Sequence, residues 1–210
     1  MFRDRVEAGE KLREKLLVYK KDHPVILAIP RGGVSVAFVA AKTLRAVMDI
    51  FVVRKIGAPH NPEFGIGAIC EGGIMYLNRQ AIVRLDISQQ DLLEIIKKEE
   101  MEVERRAKLY RGGRPLISIK NRTVILIDDG LATGVTARAA IRAIKQMKPK
   151  KLIFAAPVCA KDTLISLSRK VTSAVCITTP NDLQSIGSYY RNFNQVADEE
   201  VIGLLQKINK

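Results

Sequence analysis

Two adjacent carboxylates, Asp128 and Asp129, follow four apolar residues, Val124 to Ile127, and precede the small-residue run Gly130-Leu131-Ala132-Thr133-Gly134-Val135-Thr136. An apolar tetrad bounded in this way reads as a buried strand, and the small residues after it open a helix. Ligands of parallel sheets bind outside the carboxyl ends of the strands, where this acid pair would stand. The helix start offers unpaired backbone N–H groups and the positive end of a dipole, a seat for phosphate. Gly134 lets the backbone approach closely, and Thr133 and Thr136 add hydroxyl donors. Carboxylates cannot hold a phosphate themselves; their natural ligands are vicinal hydroxyls or a cation. Acids beside a phosphate seat describe a sugar phosphate, and the plainer reading is a solvated turn with a helix cap.

A second glycine-bearing turn, Pro30-Arg31-Gly32-Gly33, follows the apolar run Val25 to Pro30. Gly32 and Gly33 permit a backbone that directs N–H groups at an anion, and Arg31 supplies fixed charge. The same residues also make an ordinary strand-to-helix turn. Two better-known glycine loops are excluded. A phosphate-binding G-x-x-x-x-G-K-[ST] loop needs one more residue than Gly130 to Gly134 provides, and Val135 stands where lysine should. A dinucleotide G-x-G-x-x-G loop fails at its third glycine, since Gly65 and Gly67 are followed by Cys70. Arg54-Lys55 is a basic pair at the end of another apolar run. His60, Glu63 and Glu71 lie in a Gly/Pro-rich segment, as a proton relay or as exposed polar groups. Three cysteines and two histidines show no metal-ligand spacing, so no structural zinc is expected.

The elements that must position these residues alternate between short apolar runs and helical patterns, as in an α/β domain with a mainly parallel sheet. The runs are VILAIP, MDIFVVRKI, TVILIDD, KLIFAAPV and SAVCITTP. Helices are expected over VSVAFVAAKTLRA, Ser88 to Leu109, Thr136 to Met147, Asp162 to Ser168 and VADEEVIGLLQKI. Within the long charged helix, Leu92, Leu93, Ile95, Ile96 and Met101 are expected to face inward. GAPHNPEFGIGAICEGGIMYLN is too punctuated for helix and alternates in part like a hairpin. Tyr189, Tyr190 and Phe193 would pack the last helix or line a hood.

The 210 residues carry 35 Lys and Arg against 22 Asp and Glu, a formal charge of +13. With 47% apolar and 27% charged residues the chain is globular rather than disordered. Only 3 cysteines, 14 glycines and 8 prolines exclude disulfide scaffolds and collagen-like chains. No run of about 18 apolar residues suggests a membrane span, and MFRDRVEAGEKLREKL has no apolar signal core. With an odd number of scattered cysteines, a cytoplasmic location is expected. The charge favours anionic partners, yet KLREKLLVYKKD and KKEEMEVERRAKLYRGGR mix both signs as solvated helix faces do. Lys145 to Lys151, KQMKPKK, is more uniformly basic. Few aromatic residues and no Trp leave little for stacking single-stranded bases.

Val124 to Thr136, an apolar strand, two acids, three residues and Thr-Gly-x-Thr, resembles the donor-binding signature of type I phosphoribosyltransferases. The order of elements agrees over about residues 24–180. The resemblance implies a single domain over 1–210: a Rossmann-like, mostly parallel sheet flanked by helices, with a flexible loop or hairpin and a small hood. It implies 5-phosphoribosyl-1-diphosphate (PRPP) as donor, a nitrogenous acceptor, Mg2+ held mainly by donor oxygens, and a homodimer. It assigns Asp128 and Asp129 to the ribose hydroxyls. Gly130 and the backbone from Ala132 through Thr133, Gly134 and Val135 to Thr136 would cradle the 5′-phosphate. Arg31, Gly32 and Gly33 fall to the diphosphate loop, where family members often hold a cis non-proline peptide. Arg54 and Lys55 stand before the mobile loop, and Lys55 would neutralise departing diphosphate. Ala132 stands where enzymes acting on 6-oxopurines commonly carry Asp, which speaks against hypoxanthine and guanine. Two other readings stay open: a silent PRPP-sensing regulator that binds nucleic acid through its basic surface, and a sugar-phosphate hydrolase or diphosphokinase.

Overall fold

Four of the five apolar runs each form one strand, and the remaining one splits in two. The computed structural model describes residues 1–208, apart from the side chain of Glu63. In chain order the elements are α1 (Arg5–Leu16), β1 (Val25–Ala28), α2 (Gly32–Leu44), β2 (Val47–Ile50), β3 (Val53–Ala58), β4 (Asn61–Cys70) and β5 (Met75–Leu77). There follow α3 (Arg79–Arg84), α4 (Gln89–Arg111), β6 (Thr123–Ile127), α5 (Val135–Gln146), β7 (Lys151–Val158), α6 (Lys161–Ser168), β8 (Ser173–Thr178) and α7 (Asp198–Ile208).

The main sheet runs β2-β1-β6-β7-β8 with all neighbours parallel. Beyond Thr123 and Lys151 at their entries, its central strands are apolar because helices cover both faces. Alternate residues divide between them: Ile26, Ala28, Ile125, Ile127 and Ile153 face α1, α2 and α7, whereas Val25, Leu27, Val124, Leu126 and Phe154 face α5 and α6. In this layout every strand exposes its carboxyl end on one edge and its amino end on the other.

MDIFVVRKI does not form one strand. Phe51 still donates its N–H to the Ala28 carbonyl at 2.8 Å, but the next N–H, of Val52, donates to the Glu71 carboxylate at 2.7 Å. The chain therefore leaves the main sheet, and Val53 begins a second, antiparallel sheet of order β3-β4-β5. Arg54 and Lys55 consequently lie inside β3, not at the end of a main-sheet strand. The hairpin character of the Gly/Pro-rich segment is present as β4 and β5, and α3 was not foreseen.

Helix α4 starts on Ser88, whose hydroxyl accepts from the Asp91 N–H at 3.1 Å. Leu93 and Met101, expected to face inward, are 58% and 63% exposed. The inward stripe is Leu92, Ile96, Val103, Ala107 and Tyr110, a three- and four-residue spacing that leaves Leu93 and Met101 beside it. Helix α1 is more than a solvated face: Ala8, Gly9, Leu12 and Leu16 are buried.

Glu71, weighed above as a proton relay, is committed to holding this junction. Its carboxylate pairs with both terminal nitrogens of Arg111, with Nη1 at 3.1 Å, and the two side chains are only 11% and 7% exposed. Arg111 Nη1 also donates to the Ile50 carbonyl at 3.3 Å, so the pair ties the end of α4 to the point where β2 gives way to β3. Removing one partner of a buried ion pair strands the other. We expect Glu71→Ala to cost about 3–5 kcal/mol in urea unfolding, and Glu71→Gln to cost less. An unchanged midpoint for Glu71→Ala would contradict this role.

Candidate functional site

The carboxyl edge of the main sheet brings together the loops after β1 and β6. Strand pairing continues past their formal ends: Ile29 donates to the Ile127 carbonyl at 2.9 Å, and Asp128 to the Ala155 carbonyl at 3.2 Å. The Pro30–Arg31 peptide is cis, as the resemblance leads one to expect of this loop. Gly32 and Gly33 then start α2, packed directly on the acid pair. A Cβ on Gly32 would lie 1.9 Å from Asp129 Oδ2, and one on Gly33 would lie 2.9 Å from the Ile127 carbonyl. A side chain at position 32 would have to displace the Asp129 carboxylate and Arg5 Nε.

Asp128 and Asp129 are partly buried at the tip of β6. The Asp129 N–H donates to Asp128 Oδ1 at 2.8 Å, and Arg5 Nε donates to Asp129 Oδ2 at 2.8 Å. Arg5 is fixed in turn: its Nη1 reaches the Asn194 carbonyl at 2.8 Å, and its guanidinium lies 3.9 Å from the centre of the Phe193 ring. Sequence reasoning missed Arg5, because nothing near position 5 signals that α1 crosses the site. The only trace is an arginine one residue after an N-cap aspartate, Asp4, whose side chain accepts from the Glu7 N–H at 2.9 Å.

Beyond the acids the chain passes through Leu131, whose N–H donates to the Val158 carbonyl at 2.8 Å, and enters α5 at Gly134. Gly134 has φ +74°, the left-handed region that favours glycine, and contributes no side-chain cap to the helix. The amides at the start of α5, around Val135 and Thr136, thus present a positive dipole end beside Thr133, which is exposed. On the opposite side Arg31 Nη1 stands 3.5 Å from Asp198 Oδ1, which also accepts the Tyr110 hydroxyl at 2.6 Å. Asp198, the first residue of α7, is a second group that the sequence reading missed.

A cover forms over the acid loop. Tyr190 donates its hydroxyl to the Asp129 carbonyl at 2.6 Å and packs between Phe2 and Phe193, with ring centres 5.4 and 4.9 Å away. A Cβ on Gly130 would meet Ile186 Cγ2 at 2.4 Å. Tyr190 and Phe193 therefore pack against the N-terminal residues rather than the last helix.

The basic pair in β3 divides, because neighbouring residues of a strand point to opposite faces. Arg54 Nε is held by Glu99 of α4 at 2.7 Å. The Lys55 stem crosses Gly65 of β4, where a Cβ would lie 3.2 Å from Lys55 Cδ and 4.0 Å from Val135 Cγ2. The structure thus brings Lys55, and not Arg54, toward the start of α5. His60 is exposed in the hairpin turn, and the Glu63 side chain lies outside the described residues. Among the described residues no group of three or more His, Cys, Asp and Glu could hold a metal ion by itself.

Burial raises the pKa of Asp128 well above the ordinary carboxylate range, and the Asp129 charge adds to it. Burial also raises Asp129, opposed by the hydrogen bond from Arg5. A carboxyl that holds its proton more tightly folded than unfolded contributes stability that is full below its unfolded pKa and is lost as pH rises through the folded one. We therefore expect the melting temperature of the wild type to decline as pH rises through that window. Asp128→Asn, which has no proton to lose, should flatten that part of the profile. Identical pH profiles for the two proteins would contradict the burial of this charge.

Comparison with known proteins agrees with this arrangement. The model of the phosphoribosyl transferase domain family matches residues 6–191. A protein of Mycobacterium tuberculosis (strain H37Rv), provisionally named phosphoribosyl transferase Rv0571c, is 37% identical over 212 residues, covering 100% of this chain and 47% of its own length. The chain thus spans about half the length of the curated relatives it matches. The bifunctional protein PyrR of Mannheimia succiniciproducens is 48% identical over 46 residues, 22% of this chain and 26% of that one. The crystal structure of the protein TT1426 from Thermus thermophilus superposes with a TM-score of 0.81 at 37% identity, covering 98% of each chain. Its fold and the match over residues 6–191 leave one conclusion, that this chain belongs to the phosphoribosyl transferase domain family.

Proposed function

We propose that the chain transfers a 5-phosphoribosyl group from PRPP to a nitrogenous acceptor, a nucleobase in the simplest case, and releases diphosphate. The observation that carries this reading is the contact between Gly32 and Asp129, which sets the loop after β1 directly beside the acid pair and the start of α5. So read, seats for a diphosphate, a diol and a terminal phosphate lie side by side along this edge. On this reading Asp128 and Asp129 accept hydrogen bonds from the two ribose hydroxyls. The backbone from Ala132 to Thr136, with the Thr133 and Thr136 hydroxyls, cradles the 5′-phosphate. The cis Pro30–Arg31 turn and the amides of Gly32 and Gly33 face the diphosphate, with Arg31 adding charge. Arg5 orients the Asp129 carboxylate from α1 rather than leaving it to solvent.

Among the described residues no third ligand joins the two adjacent carboxylates, which suits an ion that arrives on donor oxygens and keeps its waters, as Mg2+ does. When bound, Mg2+ would offset the charge that collects on the leaving diphosphate. The residues' own contribution is positioning and charge. The donor must be held so that the acceptor nitrogen attacks C1 from the face opposite the leaving group, and water must be kept out. Lys55 approaches from the β3–β4 hairpin, the natural cover of this crevice, and would meet the departing diphosphate. We read residues 1–210 as one domain built on a core of about 24–180. Ala132, where 6-oxopurine enzymes commonly carry Asp, directs the acceptor search away from hypoxanthine and guanine first.

The test is a screen of nucleobases with PRPP and Mg2+ that follows diphosphate release. At least one base should give release that depends on acceptor. Asp128→Asn and Asp129→Asn should each lower its rate by about 10²–10³-fold, the usual effect of removing one group aimed at transition-state charge. No release with any base, together with no calorimetric heat for PRPP and Mg2+, would overturn the proposal.

A further inference from the structure

At the amino edge of the main sheet, opposite the candidate site, the charged residues are almost all cations. Lys20 and Lys21 precede β1, and Lys120 and Arg122 precede β6. Lys145, Lys148, Lys150 and Lys151 surround the entry to β7, and Arg169 and Lys170 precede β8. Because the strands are parallel, all four entries lie on the same edge. Ten cations stand there against one acid, Asp22, so this edge carries a net nine of the chain's formal +13. Eight of the ten are exposed; Arg122 and Lys151 are partly buried.

Backbone and side-chain bonds lace these loops into one surface. Asn121 donates its N–H to the Lys148 carbonyl at 3.0 Å, Lys150 to the Arg122 carbonyl at 2.9 Å, and Thr172 to the Leu152 carbonyl at 2.7 Å. Lys151 Nζ meets Asp22 Oδ2 at 2.9 Å, so the single acid is already taken. Lys21, Asp22, His23, Asn121, Arg122 and Lys150 line a cleft of about 360 Å3. Its positions at His23, Asn121 and, nearby, Lys148 adopt positive φ, with values of 46°, 60° and 55°, and all three are exposed.

We propose that this edge binds the phosphate backbone of a nucleic-acid duplex. Like charges gathered without acids between them repel one another, and an anionic partner relieves that cost. Adjacent strands lie about 4.8 Å apart, so β1 to β8 spreads the cations over about 14–15 Å. That span is too wide to converge on one phosphate and is close to the roughly 12 Å width of a duplex groove, so phosphates of both strands fall within reach. A single strand is disfavoured, because residues 20–24, 119–123, 145–151 and 168–173 hold no Phe, Tyr or Trp for bases to stack on, and Tyr19 beside them is partly buried against the core. A membrane is disfavoured because no exposed large apolar side chain falls at the entries to β6, β7 or β8, and Leu17 and Val18, exposed in the turn that carries Lys20 and Lys21, offer little apolar surface beside ten cations. The surface lies about 17 Å, one strand length, from the acid pair, so it does not rest on the transferase reading.

The test uses the full chain and labelled duplexes of about 20 base pairs, one of DNA and one of RNA, in fluorescence anisotropy. With about five phosphates neutralised, the slope of log affinity on log salt should be about −5, a loss of about 10³-fold between roughly 50 and 200 mM salt. Lys148→Ala/Lys150→Ala/Arg169→Ala/Lys170→Ala should bring that slope toward −1 to −2 and weaken binding at low salt by at least about tenfold. Lys97→Ala/Lys98→Ala on α4, which removes two exposed cations elsewhere, should bind like the wild type. If the fourfold variant melts early, the Lys148/Lys150 and Arg169/Lys170 double variants carry the same comparison. Binding of either duplex with these dependences supports the proposal. No binding to either at low salt, equal loss in the Lys97/Lys98 variant, or tighter binding to phosphatidylserine vesicles than to both duplexes overturns it.

Discussion

Residue 32 cannot carry a side chain without displacing the Asp129 carboxylate, since a Cβ there would stand 1.9 Å from Asp129 Oδ2. Everything at the carboxyl edge of the sheet follows from that approach. The loop after β1 and the acid pair after β6 are adjacent because their strands pair in register, Ala28 beside Ile127. Parallel pairing alone leaves the two loops side by side; the missing side chain lets them touch. Helix α1 then closes the contact from outside through Arg5, and Tyr190 closes it from the C-terminal side. Three segments far apart in the chain thus converge on Asp129, the loop after β1 and Arg5 on its carboxylate and Tyr190 on its backbone carbonyl.

This convergence answers an electrostatic problem. Burial raises the pKa of both neighbouring carboxyls, and the Asp129 charge raises Asp128 further. Arg5 offsets part of that cost at Asp129, and the backbone N–H of Asp129 offsets part at Asp128. The pair remains an unfavourable feature of the folded chain, of the kind proteins keep where a ligand supplies the missing partners. A diol presents two hydroxyl donors to two carboxylates, which is why the proposed donor suits the pair better than a bare anion would. The opposite edge has the reverse character, with cations in excess, so the sheet separates charge along its strands.

The sequence revealed most where one residue class repeats over a whole element. Apolar tetrads such as Val124 to Ile127 marked the strands, because a strand buried on both faces leaves no room for polar residues. Acids and small residues at one strand end marked the candidate site, because loops at that edge have little else to do. The sequence was silent where a long-range partner decides. MDIFVVRKI reads as one apolar run, and only Glu71, nineteen residues onward, shows that the Val52 N–H leaves the sheet. Arg5 and Asp198 reach the site from the first and last helices, a placement that no local pattern encodes. Arg54 and Lys55 look equivalent in sequence, and strand alternation sends one to Glu99 and the other across Gly65. Leu93 and Met101 are apolar enough for a core, yet the turn of α4 carries them past it.

The central claim is that one crevice grips a ribose by its two hydroxyls and its terminal phosphate at once. Calorimetric titration with ribose 5-phosphate and with 2-deoxyribose 5-phosphate addresses it without requiring turnover or knowledge of the acceptor. The account predicts that ribose 5-phosphate binds and that loss of one hydroxyl weakens binding by about tenfold or more, since a buried carboxylate is left unpaired. Asp128→Asn/Asp129→Asn should erase the distinction between the two sugars. Equal affinity of the wild type for both, or binding of inorganic phosphate as tight as that of the sugar, would contradict it.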